Sequence, residues 1–206
     1  MQNGVMRLSL VLFLLSGCAL SSVIRLGPMA VRTIKVCILN DKESPSSEKI
    51  IKDTTDAVFT EYEKNVGVRF VINTFAVFDG DLESWSIELG PMVKSFCRPD
   101  DEARMIFTNK ELVVIREGQE AEVGGFGHEY YGFVIIFNVG GRYLLTDLAG
   151  NPALETSLKH EIGHLFGLNH TIDRESFMFT PSNKSYGRWT DEVIRLLKKN
   201  KQQKWY

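Results

Sequence analysis

The chain contains few cysteines, few histidines and almost no excess charge. Its 206 residues include 3 Cys and 4 His, and the formal net charge is -2. Three cysteines are too few for a disulfide-rich scaffold, and their spacing matches no zinc finger. Because a nearly neutral chain lacks the basic field that attracts phosphate backbones, we expect no nucleic-acid partner. With 44% hydrophobic residues, the chain can bury the core of one globular domain.

The N-terminal apolar run, residues 8–15 (LSLVLFLL), is too short to cross a bilayer. A spanning helix needs about 20 apolar residues. The run follows the basic residue Arg7, and this layout is typical of a secretory signal. We therefore expect the domain that follows to be exported.

The run ends in Leu15-Ser16-Gly17-Cys18, which resembles the lipobox of bacterial lipoproteins. The resemblance implies that residues 1–17 are a lipoprotein-type signal peptide, that cleavage occurs before Cys18, and that Cys18 carries the lipid. Residues 18–32 would then form a tether. A lipid anchor would hold the domain at the cell envelope, in the outer membrane or at the cell surface. The alternatives are an ordinary cleaved signal or a signal anchor that continues to Ile24.

The first part of the domain predicts a β-α-β unit. Alternating apolar residues over 33–39 predict a half-buried strand. Apolar residues at helical spacing from Ile50 to Tyr62 predict an amphipathic helix that ends near Gly67. The β-branched and aromatic run 68–78 predicts a second strand, parallel to the first.

The remaining pattern predicts an α/β (α+β) fold with a twisted mixed sheet and long helices. Asn151 and Pro152 predict the N-cap and first position of one helix, and Thr190 predicts the start of a C-terminal helix. The other predicted elements are a loop with a short helix over 82–103, strands over 104–108 and 133–138, and a glycine-rich extended segment over 124–131.

Residues 160–170, HEIGHLFGLNH, contain the pattern HExxHxxGxxH. Side chains four residues apart lie on one face of a helix, so His160 and His164 can bind one metal ion. A straight helix would carry His170 away from that ion, but Gly167 can adopt a left-handed conformation and reverse the chain. With His170 as the third ligand, the fourth tetrahedral position stays open, which is typical of a catalytic Zn²⁺ rather than a structural one.

Glu161 lies beside the predicted ligands on the helix. From there it can take a proton from a zinc-activated water molecule that attacks a peptide carbonyl, and pass the proton to the leaving amine. We therefore predict Glu161 as the catalytic residue. The alternatives are a helix whose histidines are ordinary core or surface residues, and a metal-binding protein without catalysis. The pattern uses three of the four histidines, which favours the metal site.

The extended motif resembles that of the metzincin clan of zinc endopeptidases. This resemblance implies a zincin domain over 33–206, in which a Met-turn and a C-terminal helix follow the active-site helix. Met178, in the sequence SFMFTP, would be the apolar floor under the metal. Thr171 after the third histidine and the x-Met-aromatic-x-Pro turn make the chain most similar to matrixins. Archaemetzincins are a weaker match, because the cysteines that follow their motif are missing.

The resemblance also implies how a substrate binds. In metzincins a polypeptide lies extended along an edge strand above the zinc. By its place in the chain, the glycine-rich segment fits this strand, so we predict that Gly125, Phe126 and Gly127 bind the substrate. The glycines would allow another backbone to approach closely, and a flexible loop is the alternative.

Two further features leave alternatives open. Asp79-Gly80-Asp81 could bind Ca²⁺, although a solvated turn is favoured. Cys37 and Cys97 could form a disulfide in an oxidising envelope, or stay as two buried thiols.

Taken together, the sequence predicts an exported, lipid-anchored, zinc-dependent endopeptidase. The first alternative is a catalytically inactive, zinc-containing module that binds peptides, and a zinc-stabilised structural domain is a weaker one.

Overall fold

The structure, a computed structural model, describes residues 31–80, 82, 89–116, 119–180 and 184–205. The predicted signal peptide, the lipidation site Cys18 and most of the predicted tether lie outside these residues. None of the described helices is long and apolar enough to cross a membrane.

The described residues form a mixed sheet with helices packed against it. In chain order, the elements are β1 (Arg32–Asp41), α1 (Glu48–Val66), β2 (Val68–Phe78), α2 (Leu89–Lys94), β3 (Ala103–Phe107), β4 (Leu112–Arg116), β5 (Gln119–Val123), β6 (Gly125–His128), β7 (Phe133–Ile136), α3 (Val139–Leu144), α4 (Ala153–Leu165) and α5 (Asp191–Asn200).

The main sheet has the strand order β2-β1-β3-β7-β6. Strand β1 pairs in parallel with β2 and β3, and β3 pairs in parallel with β7. Strand β6 is antiparallel to β7 and lies at one edge of the sheet. Strands β4 and β5 form a separate antiparallel pair. The predicted α/β class with a mixed sheet, and the parallel pairing of the first two strands, are confirmed.

The two faces of the sheet bury different core clusters, because side chains alternate along each strand. On β1, Ile34, Val36 and Ile38 are buried on the face that α1 and α4 cover. Cys37 and Leu39 are buried on the opposite face. Burying each aliphatic side chain contributes about 1.5–3 kcal/mol, so the packing of α4 on the sheet is a large part of the fold's stability.

Helix α1 ends where the sequence predicts. Gly67 has a φ of 74°, and its N–H donates to the carbonyl oxygens of Glu63 and Tyr62. Glycine takes this left-handed conformation at little steric cost, so the chain turns directly into β2.

Cys37 of β1 and Cys97, which follows α2, form a disulfide with their Cα atoms 5.7 Å apart. Of the two possibilities left open by the sequence, the structure therefore shows the bond. It ties the central part of the sheet to the segment that leads into β3.

The start of α4 differs from the prediction by one residue. Pro152, not Asn151, is the N-cap residue. Asn151 does not cap the helix, because its side-chain amide donates instead to the carboxylate of Asp147 at 3.0 Å. Asp147 also accepts hydrogen bonds from the Thr156 hydroxyl and the N–H of Ala149, so it organises the turn before α4.

Candidate active site

The three histidines of the motif come together at the C-terminal part of α4. Helix α4 ends at Leu165, and Gly167 has a φ of 71°, so the chain reverses as the sequence predicts. The Nε2 atom of His164 lies 3.1 Å from that of His160 and 3.2 Å from that of His170. His160 is buried, His164 half-buried and His170 exposed, so the cluster opens to solvent on one side.

The three imidazoles fit one zinc ion. Zn–N bonds of about 2.0–2.1 Å in a tetrahedral site place ligand nitrogens about 3.3 Å apart, close to the observed separations. One nitrogen from each histidine lies within 4.8 Å of the others. Three nitrogen lone pairs that converge in this way repel one another unless a cation lies between them. The geometry therefore suits a metal ion better than it suits free histidines.

Backbone carbonyls orient the two helical histidines. The Nδ1 atom of His160 is 2.8 Å from the carbonyl oxygen of Phe177, and Nδ1 of His164 is 2.6 Å from that of Leu168. A carbonyl can only accept, so each Nδ1 carries the proton and each Nε2 presents a lone pair to the common centre. Hydrogen bonds of this kind fix the ring orientation of metal-binding histidines.

Burial keeps these rings neutral. Burial, followed by repulsion from His164, lowers the pKa of His160 to about 3. Burial also lowers the pKa of His164. Because a histidine must be neutral to bind a metal, both shifts favour binding near neutral pH.

Glu161 is a buried carboxylate in the same cleft. Its exposed fraction is 7%, and burial raises its pKa to about 8, although a hydrogen bond from the N–H of Gly127 opposes the rise. The positive charge of a metal ion beside it would lower this pKa again. A carboxyl group whose pKa lies near neutrality can both accept and release a proton, as a general base and acid must.

The cleft has a volume of about 480 Å³ and runs between β6 and the turn after α4. Glu161, His164 and His170 line it together with Gly125 and Gly127. The predicted catalytic, metal-binding and substrate-binding residues are thus brought to one place.

The glycines of β6 have a use that the sequence did not predict. A Cβ atom on Gly125 would lie 2.6 Å from Cγ of Glu161, and one on Gly127 would lie 2.6 Å from the carbonyl oxygen of Glu161. Such separations are too short for real carbon atoms, so the glycines let β6 press against α4 of the same chain. The ring of Phe126 packs against Phe133, with centroids 6.2 Å apart.

The predicted Met-turn lies under the histidines. Met178 is 1% exposed, and its Sδ atom occupies the space that a Cβ atom on Gly163 would need. The N–H of Thr171 donates to the carbonyl oxygen of Met178 at 3.1 Å, which joins the turn to the segment carrying His170. Pro181, the last residue of the predicted motif, lies outside the described residues.

The structure also shows groups that support the active site and that the sequence did not predict. They are the carbonyl groups of Phe177 and Leu168, and the side chains of Lys159 and Arg142. Arg142 is buried, pairs with Glu122 at 2.8 Å, and helps to hold down the pKa of Glu161. Lys159 stands directly before the histidine motif, but α4 carries several other polar side chains, so nothing in the sequence singled this lysine out.

The Ca²⁺ alternative finds no support in the described residues. Asp79 is exposed and pairs with Lys42 at 2.7 Å, and Asp81 is outside them. Besides the histidine cluster, one group of potential metal ligands occurs among the described residues: Cys37, Cys97 and Asp101. The disulfide removes both thiols of that group from metal binding.

Comparisons with solved structures show the same fold in an archaemetzincin and in a metalloproteinase. Archaemetzincin from Methanopyrus kandleri aligns with a TM-score of 0.60 and 17% identity, covering 82% of this chain and 96% of that one. Metalloproteinase-II from Bacteroides fragilis aligns with a TM-score of 0.52 and 14% identity, covering 84% of this chain and 55% of that one. Among curated proteins, none matches the sequence. At identities of 17% and 14%, these similarities establish a shared fold and nothing more specific.

A family model identifies the chain more specifically. The model of metallo-peptidase family M12B, reprolysin-like, matches residues 49–171, which is more than half of the chain and includes the histidine motif. This match confirms the predicted resemblance to metzincins. The family that matches is reprolysin-like, so the predicted resemblance to matrixins stays a prediction. The chain belongs to the reprolysin-like metallopeptidase family M12B, and its cofactor is zinc.

Proposed function

We propose that this zinc metallopeptidase is an endopeptidase in which His160, His164 and His170 bind the metal and Glu161 is the catalytic residue. The observation that carries the proposal is the convergence of three Nε2 atoms, 3.1 and 3.2 Å apart, beside a buried carboxylate in an open cleft. This arrangement leaves room at the metal for a fourth ligand, which a purely structural zinc site does not.

The chain's own residues supply positioning and proton transfer. Zinc, when bound, supplies the Lewis acidity that makes water a nucleophile near neutral pH. Glu161 takes the proton that the attacking water loses and passes it to the nitrogen of the leaving amine. The N–H of Gly127 donates to the Glu161 carboxylate and holds it in place for both transfers.

Strand β6 is the proposed docking edge for the substrate. It is the antiparallel edge strand of the sheet, and Gly125 and Gly127 lie along the cleft. An extended polypeptide can lie along Gly125, Phe126 and Gly127 and form hydrogen bonds with backbone groups of this edge other than the Gly127 N–H, which donates to Glu161. A peptide bound in this way extends past the cleft in both directions, which favours cleavage inside a chain over removal of terminal residues.

We also propose that the protein is exported and anchored by a lipid on Cys18, at the outer membrane or the cell surface. The N-terminal apolar run and the lipobox-like sequence support this location. The Cys37–Cys97 disulfide supports it independently, because disulfides persist in oxidising compartments outside the cytosol. Thr171 and the turn around Met178 resemble the corresponding features of matrixins, and we propose a matrixin-like Met-turn in this reprolysin-like chain.

The test of the activity is digestion of an unfolded protein by the purified chain, followed by mass spectrometry of the products. We expect internal fragments, loss of cleavage with a chelator, and recovery with Zn²⁺. Glu161→Gln should keep the metal but lower kcat by about 10²–10⁴-fold. Glu155→Gln, on the same helix, is the matched control and should cleave normally.

Three results would change the assignment. Release of terminal residues alone would contradict the endopeptidase proposal. Binding of zinc and peptide without any product would favour the inactive binding module. Normal turnover by Glu161→Gln would remove Glu161 from its catalytic role.

A further inference from the structure

We propose that Lys159 is a positioning residue of the metal centre, which fixes Phe177 so that its carbonyl group orients His160. The inference rests on the proposed function of the histidine cluster, and it assigns a role to the buried ammonium group behind that cluster. It follows from contacts that join α1, α4 and the Met-turn.

Lys159 is an unusually buried lysine. Its side chain is 5% exposed, and its Nζ atom lies 2.6 Å from Oε2 of Glu61 on α1. Nζ also donates to the carbonyl oxygen of Gly187 at 3.3 Å. The same Glu61 oxygen accepts a hydrogen bond from Nε1 of Trp189 at 2.5 Å. A buried charge is tolerated only when partners surround it, so these contacts hold the ammonium at one point.

Two aromatic rings complete the surroundings of the ammonium. Nζ lies 6.0 Å from the centroid of the Phe177 ring and 5.9 Å from that of the Trp189 ring. The two rings are in edge-to-face contact, with centroids 4.9 Å apart. A cation attracts aromatic rings at this range, so the charge of Lys159 holds the Phe177 ring against α4.

The link to the metal centre runs through Phe177. Its carbonyl oxygen accepts the hydrogen bond from Nδ1 of His160 at 2.8 Å. Lys159 and His160 are neighbours on α4, so adjacent residues bind the ring and the carbonyl group of the same phenylalanine. On the other side, the Tyr62 hydroxyl donates to the carbonyl oxygen of Lys159 at 2.8 Å and fixes the helix backbone. The hydrogen bond to the Phe177 carbonyl oxygen therefore orients the His160 ring, and the hydrogen bond from Tyr62 fixes the backbone directly before it.

A role of Lys159 in stability alone and a role in positioning Phe177 predict different effects when the charge of Lys159 is removed. Replacing a buried ion pair with an apolar group of similar shape is often neutral or stabilising. If Lys159 only supported the fold, Lys159→Met would bind metal as well as the wild type does. If Lys159 positions Phe177, the loss of the charge releases the ring, weakens the bond to His160 and lowers metal affinity, whatever happens to the melting temperature.

The experiment compares metal binding by the wild type, Lys159→Met and Lys159→Arg. Zn²⁺ affinity is measured by competition with a chromophoric chelator, and the visible spectrum of the Co²⁺-loaded protein reports the coordination geometry. We expect Lys159→Met to bind Zn²⁺ about 10-fold more weakly and to change the Co²⁺ spectrum, as loss of an outer partner of a metal ligand does. Lys159→Arg keeps the charge and should restore most of the affinity.

Arg104→Met is the matched control. Arg104 is also a buried cation, 7% exposed, but it lies on β3 beside Cys37, on the sheet face opposite α4. Its loss should lower the melting temperature and leave Zn²⁺ affinity and the Co²⁺ spectrum unchanged.

The outcomes separate this inference from the proposed function. A wild-type protein that binds no Zn²⁺ would refute the proposed function itself. Normal Zn²⁺ binding by the wild type together with unchanged affinity and spectrum in Lys159→Met would overturn only the role of Lys159. Should Lys159→Met fail to fold, Glu61→Gln serves in its place: it removes the charge that holds Lys159, and unchanged Zn²⁺ affinity and an unchanged Co²⁺ spectrum would overturn the inference equally.

Discussion

Gly163 and Met178 are in direct contact, because the Sδ atom of Met178 fills the place of a side chain on Gly163. Gly163 lies directly before His164 on α4, and Met178 is almost fully buried. The helix that carries two of the histidines therefore rests on the Met-turn at the level of the metal centre. An atom added to this contact forces the buried Met178 side chain, or the helix that rests on it, to move.

Gly163→Ala is expected to destabilise the protein, although alanine favours helices. The methyl group would overlap Met178, and overpacking of this kind costs about 1–3 kcal/mol. Chemical denaturation measures the change in the free energy of unfolding. Gly140→Ala is the control, since Gly140 lies in helix α3 and a Cβ atom added there would have its nearest neighbour, Oδ1 of Asn109, at 3.3 Å. A Gly163→Ala variant as stable as Gly140→Ala would contradict the contact.

Gly127→Ala is expected to disturb the active site more than the fold. The new methyl group would meet the Glu161 carbonyl oxygen at 2.6 Å, so β6 must move away from α4. That movement weakens the hydrogen bond from the Gly127 N–H to the Glu161 carboxylate. We expect kcat to fall by about 10-fold or more, because small displacements of catalytic groups are costly. Unchanged kcat, with only KM altered, would show that β6 does not position Glu161.

The C-terminal segment caps the end of α4. Nε1 of Trp205 donates to the carbonyl oxygen of Leu165 at 2.7 Å, and the side-chain amide of Asn200 donates to that of Phe166 at 2.8 Å. Trp205→Phe keeps an aromatic ring and removes the donor, which should cost about 1–3 kcal/mol of unfolding free energy. The neighbouring Lys204→Ala should have little effect. Equal stabilities for the two variants would mean that the cap contributes nothing.

Asp147 makes stability depend on pH. Burial raises the pKa of Asp147, but hydrogen bonds from Asn151, Thr156 and backbone N–H groups outweigh burial and lower the pKa below its usual value. A carboxylate whose pKa is lower in the folded protein contributes stability above its unfolded pKa of about 3.9, and loses that contribution as the pH falls through its folded pKa.

The matching variant is Asp147→Asn. With metal removed from both proteins, the wild type should be the more stable at pH 6, by about 1.5–3 kcal/mol for hydrogen bonds to a charged group. The difference should shrink as the pH falls below about 4. A stability difference that stays constant from pH 6 to pH 3 would show that the charge of Asp147 is not involved.

The sequence could predict the elements whose signals are local. Apolar spacing and the turn at Gly67 placed α1 and both flanking strands, and HExxHxxGxxH placed the three histidines and the chain reversal at Gly167. These features depend on residues close together in the chain, where periodicity and conformational preference act.

The supporting contacts could not be predicted, because their partners are far apart in sequence or belong to the backbone. The partner of Lys159 is Glu61, on another helix, and the partner of His160 Nδ1 is a carbonyl group 17 residues away. A backbone acceptor has no signature in the amino-acid sequence. The start of α4 was missed by one residue for a similar reason: Asn151 binds Asp147 rather than capping the helix.

The measurement that tests the central claim most directly is the Zn²⁺ content and affinity of the wild type and of His170→Ala. His170 is the ligand that only the reversal at Gly167 brings to the helix. We expect one Zn²⁺ per wild-type chain. In His170→Ala we expect the Zn²⁺ affinity to be more than about 100-fold weaker, a larger loss than removal of a ligand's hydrogen-bond partner causes. If His170→Ala bound Zn²⁺ as tightly as the wild type, the three histidines would not share one ion and the proposed active site would be wrong.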